Sequence, residues 1–173
     1  MQATAQFDFE TAINELTAGF DRQDPSIKRA TKRAHAKTIK WLKTQVVRSL
    51  SRALKVPQNV LAKNKRISFG HSEKGAVLWI GTNPISAQYL GKLKQNKRGV
   101  KAGKHQIDGA FIWGKKGFVM KRKSGGSYPV DKIKYHINKT AQQATKQVNK
   151  SVVVAYFSKA FERELNYEIN VKG

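Results

Sequence analysis

Lysine and arginine are the residues of this sequence whose number and spacing indicate a chemical role, the binding of anionic groups. Residues 25–72 hold thirteen of them and no Asp or Glu, and the whole chain has 34 basic against 11 acidic residues, a formal net charge of +23 at pH 7. Ammonium and guanidinium groups bind phosphate oxygens, and a compact chain with this charge repels itself unless counter-charge lies nearby. The sequence therefore predicts a polyanionic partner, and nucleic acid is the first expectation.

The densest cluster of cations lies between Gly91 and His105, where six cations and three glycines share fifteen positions. This composition predicts a mobile basic loop between strands, whose lysines would bind phosphates without reading base sequence. A solvated loop without a partner is the alternative. The candidate DNA-facing residues of this segment are Lys92, Lys94, Lys97, Arg98, Lys101 and Lys104.

Two further charged sets lie on predicted helices. The secondary basic face consists of Arg29, Lys32, Arg33, Lys37 and Lys40. The acidic set lies near the C terminus and has two interpretations. In the first, its residues are solvated at the end of a helix whose Phe161 and Leu165 pack inward. In the second, they form a ridge that meets the basic helix of the next subunit in an oligomer. The candidate subunit-interface residues are Glu162, Glu164 and Glu168.

Groups that mark an active site or a metal site are absent from the sequence pattern. The chain has no cysteine, and none of its four histidines has a carboxylate at metal-ligand spacing except His105 with Asp108, a commonplace pair. It has no phosphate-binding glycine loop, and residues 25–161 hold only three acidic residues, too few for a two-metal nuclease. We therefore expect a protein that is not an enzyme and uses no cofactor or metal.

The tryptophans and the hydropathy pattern narrow the expectation further. Trp41, Trp79 and Trp113 lie within predicted helical or strand segments, so we expect them to pack in the core rather than stack on bases. No apolar run approaches 18 residues and no signal peptide is evident, so we expect a soluble protein with no membrane partner. The lack of cysteine is compatible with a reducing cytoplasm.

Apolar spacing predicts an α+β fold: long N-terminal helices, a small antiparallel β-meander and a long C-terminal helix. Five of the eleven acidic residues fall in the first 24 positions, so we divide the chain into an acidic N-terminal helical segment, 1–24, and a single α+β domain, 25–173. A short amphipathic helix is expected over 8–22. Asp24 as N-cap and Pro25 at the first helical position predict a long basic helix ending near Lys55, with one more helical turn after Pro57.

The middle of the sequence predicts strands. The segments 66–70 and 76–81 form one expected hairpin, 107–113 and 118–123 form another, and 132–137 is the last strand. Asn138 is the expected cap of a C-terminal helix that ends near Tyr167. The β-prone run 152–157 leaves a buried strand as the alternative within that helix.

Several segments together resemble the bacteriophage minor tail protein Z family, the tail completion proteins of tailed phages. They are 49–57 (SLSRALKVP), 78–85 (LWIGTNPI), 99–103 (GVKAG), 109–111 (GAF) and 161–168 (FERELNYE). Their co-occurrence in this order is more specific than any one of them. The similarity covers about residues 35 to 172, and the acidic N-terminal segment matches least.

The resemblance implies a structural virion protein at the head-proximal end of the tail, assembled in the host cytoplasm. The implied partners are its own subunits in a ring, commonly of six, the neck connector and tail terminator or tube proteins, and the genomic double-stranded DNA in the channel. The implied fold has long helices flanking a small antiparallel sheet. The cations would hold the end of the genome by its phosphates, or meet acidic surfaces of the neck proteins. A free, sequence-independent nucleic-acid-binding protein is the alternative from another class.

Overall fold

The computed structural model describes residues 2–19, 21, 24–62, 66–72, 75–123, 126 and 128–170. Within these residues, helices pack on one another and on small antiparallel sheets, which confirms the predicted α+β class. Long helices lie on both sides of the strand-rich middle of the sequence, also as predicted.

Helix α2 (Pro25–Leu54) begins and ends where the sequence predicts. The Asp24 carboxylate accepts the backbone N–H of Ser26 at 2.6 Å, so it caps the helix, and Lys55 ends it in the left-handed conformation, with φ 52°. Its thirty residues extend about 45 Å. Helix α3 (Gln58–Ala62) is the short helical turn expected after Pro57.

A three-stranded antiparallel sheet has β3 (Gly75–Gly81) at its centre, between β1 (Gln2–Asp8) and β2 (Ile67–Ser72). The β2–β3 pair confirms the first predicted hairpin, although residues 73 and 74 of its turn lie outside the described residues. Leu78 and Ile80 are fully buried on the face of the sheet that packs against the helices.

The N-terminal segment differs from the prediction. A helix was expected over 8–22, but β1 ends at Asp8 and helix α1 spans only Glu10–Leu16. Ala3 and Phe7 are buried on one side of β1, so the two-residue spacing of Phe7 and Phe9 continues a strand alternation rather than a helical one. Phe20, in the predicted helix, lies outside the described residues, and the boundary expected at residue 24 falls between α1 and α2.

Residues 93–108 form a second antiparallel sheet, so the expectation of a mobile loop over 91–105 is wrong. Its strands are β5 (Leu93–Asn96), β6 (Gly99–Ala102) and β7 (His105–Asp108). Val100 and Ala102 are fully buried while Lys101 between them is exposed. Burial of this apolar row orders a segment whose charge and glycine content suggested a loop.

A third antiparallel sheet contains β8 (Ala110–Trp113), β9 (Phe118–Arg122) and β10 (Val130–Lys132). The β8–β9 pair confirms the second predicted hairpin. Gly109, at φ +70°, separates β7 from β8, where a single strand was expected. The last expected strand, 132–137, is reduced to β11 (Lys134–Tyr135), which pairs with β4 (Ile85–Ser86).

The C-terminal region consists of two helices, α4 (Asn138–Gln147) and α5 (Lys150–Asn170), where one was predicted. Asn138 is not the cap. It is the first helical residue, because the carbonyl of Ile137 already accepts the N–H of Ala141 at 2.8 Å. Val148 is extended and ends α4, and the Asn149 side chain accepts the N–H of Ser151 at 3.0 Å at the start of α5. The run 152–157 is helical, so the strand alternative is excluded.

An aromatic cluster joins α5 to α2 and to the N-terminal segment. Phe157 is fully buried, stacks on Phe9 at 4.8 Å between ring centroids, and meets the His35 ring edge-on at 5.1 Å. Phe161, one turn further along α5, is also fully buried, with its ring centroid 6.1 Å from that of Phe157. These contacts fix the position of α5 along the long helix.

Candidate nucleic-acid interface

The sheet β5–β6–β7 presents lysines on one face. Leu93, Ala102 and His105 are opposite one another across the strands and face the protein, whereas the next row, Lys94, Lys101 and Gln106, faces solvent. Lys92 and Lys104 are exposed at the ends of β5 and β7. We call the outward lysines the cationic face, which consists of Lys92, Lys94, Lys101 and Lys104.

A tight turn at one end of this sheet sets the register of the lysines. The side-chain oxygen of Asn96 accepts the backbone N–H groups of Arg98 and Gly99, both at 3.0 Å. Gly99 has φ +147°, and a Cβ atom there would lie 2.2 Å from the carbonyl oxygen of Ile107. Only glycine fits this close approach between β6 and β7, so the turn holds Lys94 opposite Lys101.

Lys94 and Lys101 are like charges placed directly across a strand pair, an arrangement that destabilises a sheet. Within the described residues, no carboxylate lies within salt-bridge distance of any lysine of the cationic face. Four cations therefore share one exposed surface without an acidic partner from the described part of the chain. An anion bound between them would remove the repulsion.

The other two predicted DNA-facing residues lie in the turn. Lys97 is exposed, and Arg98 donates to the Asp108 carboxylate at 2.8 Å. This hydrogen bond lowers the pKa of Asp108, so the carboxylate stays charged beside Arg98. The structure thus brings four of the six predicted cations onto one face, leaves Lys97 exposed in the turn, and pairs Arg98 with a carboxylate of its own sheet.

Two contacts hold this sheet against the rest of the molecule. His105 Nε2 lies 3.0 Å from the carbonyl oxygen of Leu54 in the last turn of α2, and its ring centroid lies 4.8 Å from that of Tyr135. The Gln95 amide donates to the carbonyl of Ala110 at 3.2 Å and accepts the N–H of Ile112 at 3.0 Å. These contacts hold the sheet, and with it the cationic face, in one position relative to α2 and β8.

Most of the secondary basic face is neutralised within the chain. Arg29 Nε lies 2.7 Å from Glu168, Arg33 Nε lies 2.6 Å from Glu164, and Arg33 and Lys37 make further ion pairs with Glu168 and Glu164 respectively. Within the described residues, Lys32 and Lys40 are the exposed cations of this set without a salt bridge to a carboxylate. We call the five paired residues the α2–α5 ion cluster: Arg29, Arg33, Lys37, Glu164 and Glu168.

The two acidic residues of this cluster pair with α2 of their own chain, where a contact with the basic helix of the next subunit was expected. Glu164 is 6% exposed and Glu168 is 3% exposed, so the alternative of a solvated Glu164 is also wrong. Hydrogen bonds from Lys37 and then Arg33 lower the pKa of Glu164, and bonds from Arg33 and then Arg29 lower the pKa of Glu168. Glu162 is exposed and remains a predicted interface residue.

The tryptophans occupy three different environments. Trp41 stacks on Tyr156 at 4.3 Å and Trp79 is half-buried in β3. Trp113, at the end of β8, is 60% exposed, so the expectation of core packing is wrong for this residue. Its exposure depends on which face of its sheet packs inward, and the sequence of a single hairpin does not determine that.

No group of three or more His, Asp or Glu side chains among the described residues could hold a metal ion. No described helix is long and apolar enough to cross a membrane.

The chain was compared with protein families, curated proteins and solved structures. The family model described as prophage minor tail protein Z (GPZ) matches residues 8–172. No curated protein and no solved structure matches. A phage minor tail protein is a structural component of the virion and contacts other virion proteins. The match includes most of the acidic N-terminal segment, which resembled the family least. The chain therefore belongs to the prophage minor tail protein Z family, as its sequence motifs indicated.

Proposed function

We propose that this protein is a tail completion protein that forms a ring, of six subunits, at the head-proximal end of the tail. The ring joins the tail to the neck connector and tail terminator proteins. In this arrangement the cationic face lines the channel and binds the phosphates of the genomic duplex. Membership of the minor tail protein family supports the virion role. The cationic face carries the proposal of DNA contact.

The observation that supports DNA contact most directly is the opposed pair Lys94 and Lys101. A folded sheet that holds two lysines across from each other, without a described carboxylate near them, loses stability unless an anion binds. A duplex supplies phosphates at close, regular spacing along both strands. The whole chain, with a net charge of +23, also needs counter-charge, and a ring of subunits multiplies that positive charge.

Lysine contacts also suit a genome that must leave the particle. Each ammonium group binds phosphate as a point charge, without reading a base edge, and the binding is screened by salt. Contacts of this type fix the position of the duplex backbone and carry no sequence information. The DNA end is therefore retained by many weak contacts that are replaced by others as the duplex slides.

A salt titration of duplex binding tests the DNA contact. The variant carries glutamine at the four positions of the cationic face. The matched control carries glutamine at four exposed lysines of α4 and α5, so that the charge change is the same: Lys139, Lys146, Lys150 and Lys159. The slope of log K against log salt should become less steep by up to about 3.6 in the first variant, because each phosphate contact contributes about 0.9.

The control should keep the wild-type slope, apart from the small general effect of lower net charge. If both variants change the slope equally, the cationic face is not the DNA site. If neither variant alters duplex binding but the first loses contact with purified neck proteins, the lysines meet acidic protein surfaces instead.

Electron cryomicroscopy of tails with and without this protein tests the proposed location. A ring should be missing from the head-proximal end of the deficient tails, together with ordered density for the DNA end in the lumen. If the head-proximal ends of the two kinds of tail are identical, the proposed location is wrong, whatever the purified protein binds.

A further inference from the structure

The two faces of the sheet β8–β9–β10 differ in burial: one contains buried Ala110 and Val119 beside exposed Ile112 and Lys121, and the other contains half-buried side chains and the exposed Trp113. Ala110 and Val119, which face the protein, are 3% and 1% exposed. The register places Phe111 opposite Met120 and Trp113 opposite Phe118 on the other side, and none of these four residues is buried. We call these four residues, together with Arg122 and Lys132, the aromatic face.

The two cations lie over aromatic rings on this same face. Arg122 Cζ is 5.6 Å from the ring centroid of Phe111, and Lys132 Nζ is 4.0 Å from that of Phe118. Asp131, between them in sequence, faces the other way and pairs with Lys123 at 3.3 Å. The aromatic face is therefore positively charged as well as apolar.

Trp113 is the most exposed aromatic ring of this face and stands beside a basic turn. It is 60% exposed and, within the described residues, makes no ring or cation contact. Gly114 and Gly117 close the turn through a backbone hydrogen bond of 3.0 Å, with positive φ at both, and leave Lys115 and Lys116 exposed. A flat indole surface and two ammonium groups thus lie within one short turn.

From this arrangement we infer that the aromatic face binds unpaired bases of single-stranded DNA. Exposed rings on a sheet offer stacking surfaces for bases, and cations between them contact the phosphates. Inside a duplex the faces of the bases are covered by their neighbours, so stacking on these rings requires a single-stranded segment or an open end. Positive charge, the exposed indole and the absence of a described carboxylate on this face together favour nucleic acid over a basic or neutral protein surface.

The sheet that carries the aromatic face contacts the sheet that carries the cationic face. A Cβ atom added at Gly117 would lie 3.4 Å from a side-chain carbon of Leu93, and Gln95 hydrogen-bonds across to β8. A DNA end could therefore lay its duplex on the cationic face and its terminal unpaired bases on the aromatic face. This inference rests on the proposed function for its biological partner, but the purified protein tests it separately.

Binding of a single strand by the purified full chain is the test. The ligands are an oligo(dT) of about twenty nucleotides, longer than a typical site of roughly 4–16 nucleotides, and a duplex of equal length closed by a hairpin at each end. Trp113→Ala should weaken oligo(dT) binding by about 5- to 160-fold, the range for loss of one stacking ring. The same variant should leave the closed duplex bound as tightly as the wild type, and Trp113→Phe should retain most of the oligo(dT) affinity.

Two controls make the result specific. Tyr89→Ala removes an aromatic side chain that is 55% exposed outside this sheet, and it should change neither affinity. Photocrosslinking with oligo(dT) that carries 5-iododeoxyuridine should attach the strand to Trp113 or its ring neighbours, as read by mass spectrometry of the peptides. Circular dichroism checks that each variant is folded.

Each other outcome overturns the inference in a distinct way. If Trp113→Ala weakens both ligands equally, the ring supports folding or general charge contacts and does not stack. If the wild type binds the closed duplex but not oligo(dT), the inference fails and the proposed duplex contact stands. If it binds neither, both fail. If Trp113→Ala abolishes binding to vesicles of anionic phospholipid and not to oligo(dT), the face belongs to a lipid surface.

Discussion

The substitution Glu164→Gln tests whether the α2–α5 ion cluster stabilises the subunit itself. The change keeps the shape of the side chain and removes its charge, so Arg33 and Lys37 each lose an ionised acceptor. A hydrogen bond to a charged group contributes about 1.5–3 kcal/mol when its surroundings are dry. The side chains of Arg33 and Lys37 are 35% and 61% exposed, so water can rehydrate both cations.

Hydration of the two cations lowers the expected loss to about 1–2 kcal/mol of unfolding free energy. For a chain of this length that loss corresponds to a fall in Tm of about 2–8 °C, measured by calorimetry or circular dichroism at pH 7. Glu162→Gln is the matched control, because Glu162 is exposed on the same helix and the charge change is identical. The control should stay within about 0.5 kcal/mol of the wild type.

The pH dependence follows from the direction of the pKa shift. The pKa of Glu164 is lower in the folded protein, so its charged form contributes stability above the unfolded value of about 4.3, and that contribution is lost as pH falls through the folded-state pKa. The gap in Tm between wild type and Glu164→Gln should be constant from pH 7 to about 5 and should close below about 4.

Two results would refute this reasoning. Equal Tm values for the two glutamine variants at pH 7 would show that the cluster adds no stability. A gap that appears only at high protein concentration would place Glu164 between subunits, because association, and not folding of one chain, then carries the effect.

Three other expectations follow from the packing and the charges. Phe157→Ala should cost about 3–5 kcal/mol in chemical denaturation, since the ring is fully buried, whereas Val152→Ala at a 51% exposed position of the same helix should cost little. Lys94→Glu should stabilise the fold by up to about 1 kcal/mol through its new pair with Lys101, yet weaken duplex binding; a stabilised variant with unchanged DNA affinity would contradict the assignment of this face. Glu162→Lys should reduce oligomer formation, measured by sedimentation velocity, without lowering the Tm of the monomer. Unchanged oligomer formation would show that Glu162 is not an interface residue.

The sequence predicts elements well where local chemistry fixes a boundary. Asp24 and Pro25 start α2 because a carboxylate cap and a fixed φ both act within one turn. The β8–β9 hairpin follows from the glycines at positions 114 and 117, which allow the positive φ that its turn needs. In each case the deciding interaction lies within a few residues of the boundary.

Local chemistry was insufficient for the N-terminal strand and for the cationic face. The strand β1 is stabilised by its pairing with β3, whose residues are 67 to 79 positions away, and its short alternation is equally compatible with part of a helix. In β6 the buried Val100 and Ala102 alternate with Lys101, a strand signal that the many cations and glycines obscured. The predicted cations therefore lie on a sheet and not in a mobile loop.

The pairing of glutamates with α2 depends on tertiary structure alone. Glu164 and Arg33 are 131 positions apart in sequence, and no spacing rule connects them. A basic helix and an acidic helix end predict attraction, but they do not say whether the partners belong to one chain or two. Only the position of α5 along α2, fixed by the buried Phe157 and Phe161, decides that the pairs form within the chain.

The two hydrogen bonds between the Gln95 amide and β8 affect how copies of this chain can meet. An open strand edge is a template onto which any passing strand can hydrogen-bond, which favours aggregation and domain swapping. At the edge of β8, the amide of Gln95 already occupies the carbonyl of Ala110 and the N–H of Ile112. Growth by strand addition is blocked there, so neighbours that approach this side must be recognised by side chains, whose charges and shapes can discriminate between partners.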